Sequence, residues 1–175
     1  MANQTSLSWD VDPSRLPWST QLLASVSAAK SRLDLGNPEA EATGYGKLPA
    51  TLQIKFWAEM LIQIAKWESD WDPKCVFHEP PPLNDDSVGL LQLSYSDQSV
   101  YKFKPPIVQA AGSLVDPLTN IRCGVQILAT LLAKDGVVSQ TVGGAQAGAG
   151  RYWSTMRAAE HLADILGHAR QSVGL

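Results

Sequence analysis

Residues 51–73 read TLQIKFWAEMLIQIAKWESDWDP, and the reading of this stretch decides the fold. Phe56, Trp57, Met60, Leu61, Ile64 and Ala65 recur at three- and four-residue steps, while Lys55, Glu59, Gln63 and Lys66 share the other side. A helix is the regular structure that gathers each set on one face. The spacing predicts a helix over residues 51–68, closed by Asp72 and Pro73, with Glu59 solvated one turn after Lys55. Glu68 breaks the pattern. It follows Ile64 by four residues and Leu61 by seven, so its carboxylate lies over the apolar face. An acid there costs free energy unless it is paired, hydrogen-bonded or protonated. Desolvation and the negative end of the helix dipole both favour the protonated form and raise the pKa. Two readings follow: an interior Glu satisfied by an Arg or by backbone amides, or a proton donor in a cleft.

Working outward, Leu22, Leu23, Val26 and Leu33 predict a helix over residues 18–35, stopped by Gly36, Asn37 and Pro38. Residues 36–49 read as a connection. The stretch HEPPPLNDD, residues 78–86, is too rich in proline and turn formers for regular structure and reads as a loop. SVGLLQLSYSDQSVY, residues 87–101, is a compact apolar turn leading into a short helix or hairpin. Asp116 and Pro117 read as an N-cap and a first-turn proline, opening a helix to about residue 133. GGAQAGAG, residues 143–150, reads as a flexible connection or a tight helix junction, and a last helix covers residues 151–170. The class is mainly α with few or no strands. Residues 1–175 form a single domain, with 1–16 as an N-terminal extension and 17–172 as the core.

Composition narrows the partners. The chain has 175 residues, close to the usual size of one domain, and 45% of them are hydrophobic. A net charge of -3 with scattered Lys and Arg predicts no nucleic-acid partner. The opening MANQTSLSWDVDP lacks the cationic start and apolar run of a secretory signal, and no stretch is long enough to span a bilayer. The expectation is a chain made in the cytoplasm, without membrane insertion, reaching any outer compartment by a non-classical route. His78, His161 and His168 form no ligand set, because the prolines after His78 preclude the helix of a zinc-binding HExxH; no metal is expected. Cys75 and Cys123 are either small buried hydrophobes or, in an oxidising compartment, one disulfide.

Three ordered motifs carry a resemblance. Glu68-Ser69 with Asp72-Pro73, then Ser87-Val88-Gly89-Leu90-Leu91-Gln92-Leu93, then Asp116-Pro117 with Asn120-Ile121 and Gly124, resemble the motif set of the soluble-type lytic transglycosylases. These are related in fold to goose-type lysozyme, and the resemblance covers about residues 54–153. It implies a lysozyme-like domain with a cleft and no cofactor. Glu68 would be the sole general acid/base, cutting the β-1,4 bond between N-acetylmuramic acid and N-acetylglucosamine in peptidoglycan. Leu91 takes the place of the family's Met in the Gly-Leu-Met-Gln signature. Gln92 would hydrogen-bond the sugar or Glu68, and Gly89 would allow close backbone approach. Ser69 and Ser87 would position ligand. The family's later Ala-Tyr-Asn-Ala-Gly motif, whose tyrosine hydroxyl contacts the catalytic acid, is not matched: either Ala145-Gln146-Ala147-Gly148 is a degenerate version without the tyrosine, or Arg151-Tyr152-Trp153 occupies its place, and Tyr152 is the preferred reading.

Alternatives stay open. Asp85 or Asp86 would serve a hydrolytic muramidase as second acid, or form a solvated turn. The longer interval before Gly89, falling in HEPPPLND, would cover one end of the cleft or bind something other than glycan, with Glu79 at the surface. Trp67 and Trp71 would stack on sugars or sit in the core. The chain also resembles antibacterial effectors delivered by a contact-dependent route such as type VI secretion, or phage-derived lysins released by other means; the former implies an immunity protein plugging the cleft. A catalytically inactive glycan-binding module is the competing class.

Overall fold

The structure, a computed structural model, describes residues 6–82 and 84–175. In chain order the elements are α1 (Leu16–Leu33), α2 (Pro38–Glu41), α3 (Ala50–Ser69), β1 (Val76–His78), β2 (Asp86–Val88), α4 (Asp97–Tyr101), α5 (Pro117–Asp135), β3 (Ser139–Val142), β4 (Ala145–Gly148) and α6 (Ala159–Val173), with short 3-10 turns between them. Strand β1 pairs antiparallel with β2, and β3 with β4.

Helix α3 is the axis of the core. Its long run without Gly or Pro begins after Pro49, and every residue from Phe56 to Ala65 is buried. It packs against α6 and α1, and α1 lies along α5. The chain leaves α3 through Asp70 and Trp71, both in the left-handed region (φ 53° and 63°). The Asp70 N–H closes on Lys66 O at 3.0 Å, and this stop places Glu68 in the last turn. Helix α5 starts as expected: Asp116 accepts from Thr119 N, Pro117 follows, and Gly136 (φ 71°) ends it two residues past the expected limit.

The departures are tertiary in origin. Residues 6–15 are no loose extension, because Leu7 and Trp9 are buried in the core and the Trp9 indole donates to Ser19 Oγ at 2.7 Å. Residues 1–5 of that stretch lie outside the described residues. Glu59 is buried as well, under this segment, with Oε1 accepting from Ser8 N at 2.9 Å. Strands β1 and β2 make the segment 76–88 a hairpin around the proline-rich turn. The Gly-rich region is a second hairpin turning at Gly143 and Gly144, whose positive φ values (57° and 83°) suit a tight two-residue turn. Because β4 and the 3-10 turns Ala149–Arg151 and Ser154–Met156 occupy the following residues, the last helix begins only at Ala159.

Candidate active site

Glu68 stands half-buried at the end of α3, on the wall of a cleft of about 700 Å³. The hairpin β1–β2 forms the facing wall with Phe77, Glu79, Asp85, Asp86 and Ser87, and the segment Arg151–Arg157 contributes Tyr152, Ser154 and Arg157. The acid itself is held by Thr155, whose hydroxyl donates to Glu68 Oε1 at 2.7 Å. Burial pushes the Glu68 pKa above the usual carboxylate range. The Thr155 hydroxyl and the charge of Arg157 oppose that rise, and the charge of Glu79 adds to it.

The turn 88–93 is built from backbone. Val88 and Leu93 exchange two backbone hydrogen bonds, at 2.8 and 3.0 Å, with Gly89 (φ 76°) and Gln92 (φ 48°) making the reversal. Asn120, on the buried face of α5, locks it: Nδ2 donates to Val88 O (2.8 Å) and Leu114 O (3.0 Å), and Oδ1 accepts from Leu91 N (2.9 Å). A Cβ on Gly89 would fall 2.4 Å from Asn120 Nδ2, so the close backbone approach that requires glycine is made to Asn120. Ser69 ties this turn to α3, donating from Oγ to Leu90 O at 2.8 Å, and Trp153 Nε1 donates to Leu91 O at 2.9 Å.

Several expected contacts fall elsewhere. Leu91 is 2% exposed and packs against Gly124 in the core instead of lining the cleft. Ser69 is buried and spends its hydroxyl on backbone. Gln92 reaches the cleft wall, but its amide donates to Gly89 O and Cys75 O, not to Glu68. Tyr152 also lines the cleft, yet its hydroxyl donates to Asp97 and accepts from Ser94 N at 3.3 Å, so it does not contact Glu68. Cys75 and Cys123 are free thiols, one on the cleft wall and the other buried in α5, so the bridge considered from the sequence is not formed. Ser87 does line the cleft, donating to Glu79 Oε1 at 3.0 Å. Trp67 stacks on His161 and Trp71 packs at the core beneath Arg15 and Lys66; neither faces the cleft.

Asp85 and Asp86 both lie on the wall, each already engaged. Hydrogen bonds from Ser94 lead the effects that hold Asp85 below the usual carboxylate range. Asp86 faces His78 Nδ1 at 2.8 Å. Asp97, buried beside Tyr152, is pushed the other way by desolvation, against the bonds from Tyr152 and Ser94. Glu79 was expected at the surface, and Asp97, opening the five-residue α4, and Thr155, in a 3-10 turn, escaped the sequence reading because such short segments carry no periodicity that assigns a face. Among the described residues, no group of three or more His, Cys, Asp and Glu is arranged to hold a metal ion, and no helix is long and apolar enough to cross a membrane.

The sequence pattern of the Transglycosylase SLT domain matches residues 49–166, from the residue before α3 into α6. No curated protein sequence matches the chain. Among solved structures the chain is similar to "Bd0314 DslA wild-type form 2", with 25% identity over 97% of both chains and a TM-score of 0.82. Two Glu-to-Gln mutants of the same DslA give 24% identity, the same coverage and a TM-score of 0.81. With two thirds of its length matched, this chain belongs to the transglycosylase SLT domain family, whose activity is the lytic cleavage of peptidoglycan glycan strands.

Proposed function

We propose that the chain cleaves the β-1,4 bond between N-acetylmuramic acid and N-acetylglucosamine, with Glu68 as general acid and then general base. The observation that carries the reading is one carboxyl, Glu68, half-buried on the cleft wall and held toward its protonated form by desolvation. A glycosidic oxygen leaves poorly until protonated, and a carboxylic acid with a raised pKa supplies that proton near neutral pH. The bond to the anomeric carbon then breaks with oxocarbenium character, and the ionised Glu68 accepts the proton of the muramoyl 6-hydroxyl as that oxygen attacks. The product is a 1,6-anhydro end. The interval between the two glutamates replaced in the DslA mutants is eleven residues, the interval between Glu68 and Glu79 here, and this supports an acidic pair facing the same cleft.

A second reading, hydrolysis by an activated water, is favoured by that same pair. Asp85 and Asp86 are engaged by Ser94 and His78 and Glu79 accepts from Ser87, but of the three only Glu79 is a carboxylate whose charge acts on Glu68. Glu79 would then be the base, in place of Asp85 or Asp86. Mass spectrometry of fragments released from purified peptidoglycan separates the routes: anhydromuramyl ends support the transglycosylase, reducing muramic ends the hydrolase. Glu68→Gln should lower release about 10²–10⁴-fold while the circular dichroism spectrum is retained. Release by Glu68→Gln at the wild-type rate would overturn the proposal. As an antibacterial effector, the chain would be countered by a cognate immunity protein seated over this cleft, and a pull-down from producing cells without such a partner would count against that setting.

A further inference from the structure

We propose that Thr155 is the positioning residue of the general acid, filling with a threonine hydroxyl the place that the family resemblance gives to a tyrosine. The inference rests on the role of Glu68 proposed above and adds which oxygen of that carboxyl carries the proton.

Tyr152 is committed elsewhere. Its hydroxyl has one proton, donated to Asp97, and it also accepts from Ser94 N, so it holds the wall of the cleft rather than the acid. Thr155 reaches Glu68 Oε1 with its hydroxyl at 2.7 Å, and its placement is fixed. It is 8% exposed and lies in the 3-10 turn Ser154–Met156. On one side of it, Trp153 is anchored to Leu91 O at 2.9 Å; on the other, Met156 O accepts from Ser139 Oγ at 2.7 Å. The second hairpin, β3–β4, thus sets the position of the hydroxyl that orients the acid.

The consequence is an asymmetry between the two carboxyl oxygens. The carbonyl oxygen of a carboxylic acid is the stronger acceptor, so an Oε1 that accepts from the Thr155 hydroxyl favours Oε2 as the seat of the transferable proton. The same hydroxyl keeps donating to Oε1 after the proton has left, which stabilises the carboxylate and spares it a rotation before it acts as base. The charged and titratable groups around Glu68 come from three segments: Cys75, Glu79, Asp85 and Asp86 from the first hairpin and its approach, Asp97 from α4, and Arg151, Tyr152 and Arg157 from the segment carrying Thr155.

Thr155→Val replaces the hydroxyl by a methyl of nearly the same size. The expected result is a fall of about 10–100-fold in the plateau of kcat/KM, matching the loss of one hydrogen bond to a charged group. The alkaline limb of the profile should move to higher pH, because a donor that favoured the ionised form is gone. Thr155→Ser should restore both. Thr155→Ala, which only deletes atoms, serves as a second variant should the valine protein fail to fold. A carbon-13 titration of the Glu carboxyls, with Glu68 assigned by its absence in Glu68→Gln, reads the same shift without any turnover. If the wild type cuts no peptidoglycan, the proposed function fails while this titration still tests the hold on Glu68. An unchanged Glu68 titration in both Thr155→Val and Thr155→Ala overturns the inference, as does a shift produced by Tyr152→Phe and not by the Thr155 variants.

Discussion

The half-buried position of the Glu68 carboxyl works against the fold that holds it. Desolvation raises the Glu68 pKa in the folded chain, so the folded state binds its proton more tightly than the unfolded state does. Below the unfolded pKa, near 4.3 for Glu, both states are protonated and nothing is lost. As pH rises through the interval between the unfolded and folded values, the unfolded state sheds its proton first and stability falls. Glu68→Gln, whose amide cannot ionise, should therefore be more stable than the wild type at pH 8, with the difference vanishing at pH 4. Urea midpoints at the two pH values measure it; a variant less stable at pH 8 than at pH 4 relative to wild type would contradict the assignment. Asp97 has the same sign, since burial raises it too, and it contributes to the same decline with rising pH.

At the scale of elements, the cleft depends on a turn whose Val88, Leu90, Leu91 and Leu93 side chains are buried in the core and whose backbone polar groups are met by Asn120. Asn120 satisfies Val88 O, Leu114 O and Leu91 N from a fully buried position. Val88 O also accepts from Leu93 N, so Asn120→Ala leaves Leu114 O and Leu91 N without that partner, each costing about 1–3 kcal/mol when buried, and a loss of about 2 kcal/mol or more is expected from urea denaturation. Gly89→Ala should act in the same direction, since its Cβ would meet Asn120 Nδ2 at 2.4 Å and Leu114 O at 2.5 Å on a residue with φ of 76°. The sequence made the regular parts of this arrangement legible. The α3 stripe and the Asp116-Pro117 start announced their helices because periodicity and caps are local. Residues 76–88 did not announce a hairpin, because HEPPPLND is all turn former and its strands are three residues each. Residues 139–148 did not either: Gly143-Gly144 is a hairpin signal, but the flanking Gln, Ala and Gly are poor strand formers. Glu68 was legible from its helical phase. Thr155 was not, since a contact across 87 residues of chain leaves no mark in local pattern.

Across the whole molecule, α3 is clasped on the side opposite Glu68 by a contact the sequence placed in solvent. Nine residues at about 100° each set Glu59 opposite Glu68 on α3, and the polar spacing there looked like an exposed face. The N-terminal segment covers it instead. Glu59 is 1% exposed, with Oε1 accepting from Ser8 N and Oε2 lying 3.4 Å from His168 Nε2 on α6. One carboxyl thus joins three parts of the chain, and Trp9 closes over the same place with its indole on Ser19. Removing the carboxyl leaves the Ser8 N–H without its acceptor, which costs about 1–3 kcal/mol when that group is desolvated. Glu59→Ala should lose stability on that scale, whereas Glu59→Gln, which still accepts from Ser8 N, should lose less. A double-mutant cycle of Glu59→Ala with His168→Ala should show a coupling of about 0.5–3 kcal/mol. Peptidoglycan cleavage by Glu59→Gln, assayed well below its unfolding transition, should keep the wild-type pH profile, since Glu68 and Thr155 are untouched. A Glu59→Ala protein within about 0.5 kcal/mol of wild type would mean that this carboxyl is no clasp, and that the N-terminal segment is held by the burial of Leu7 and Trp9 alone.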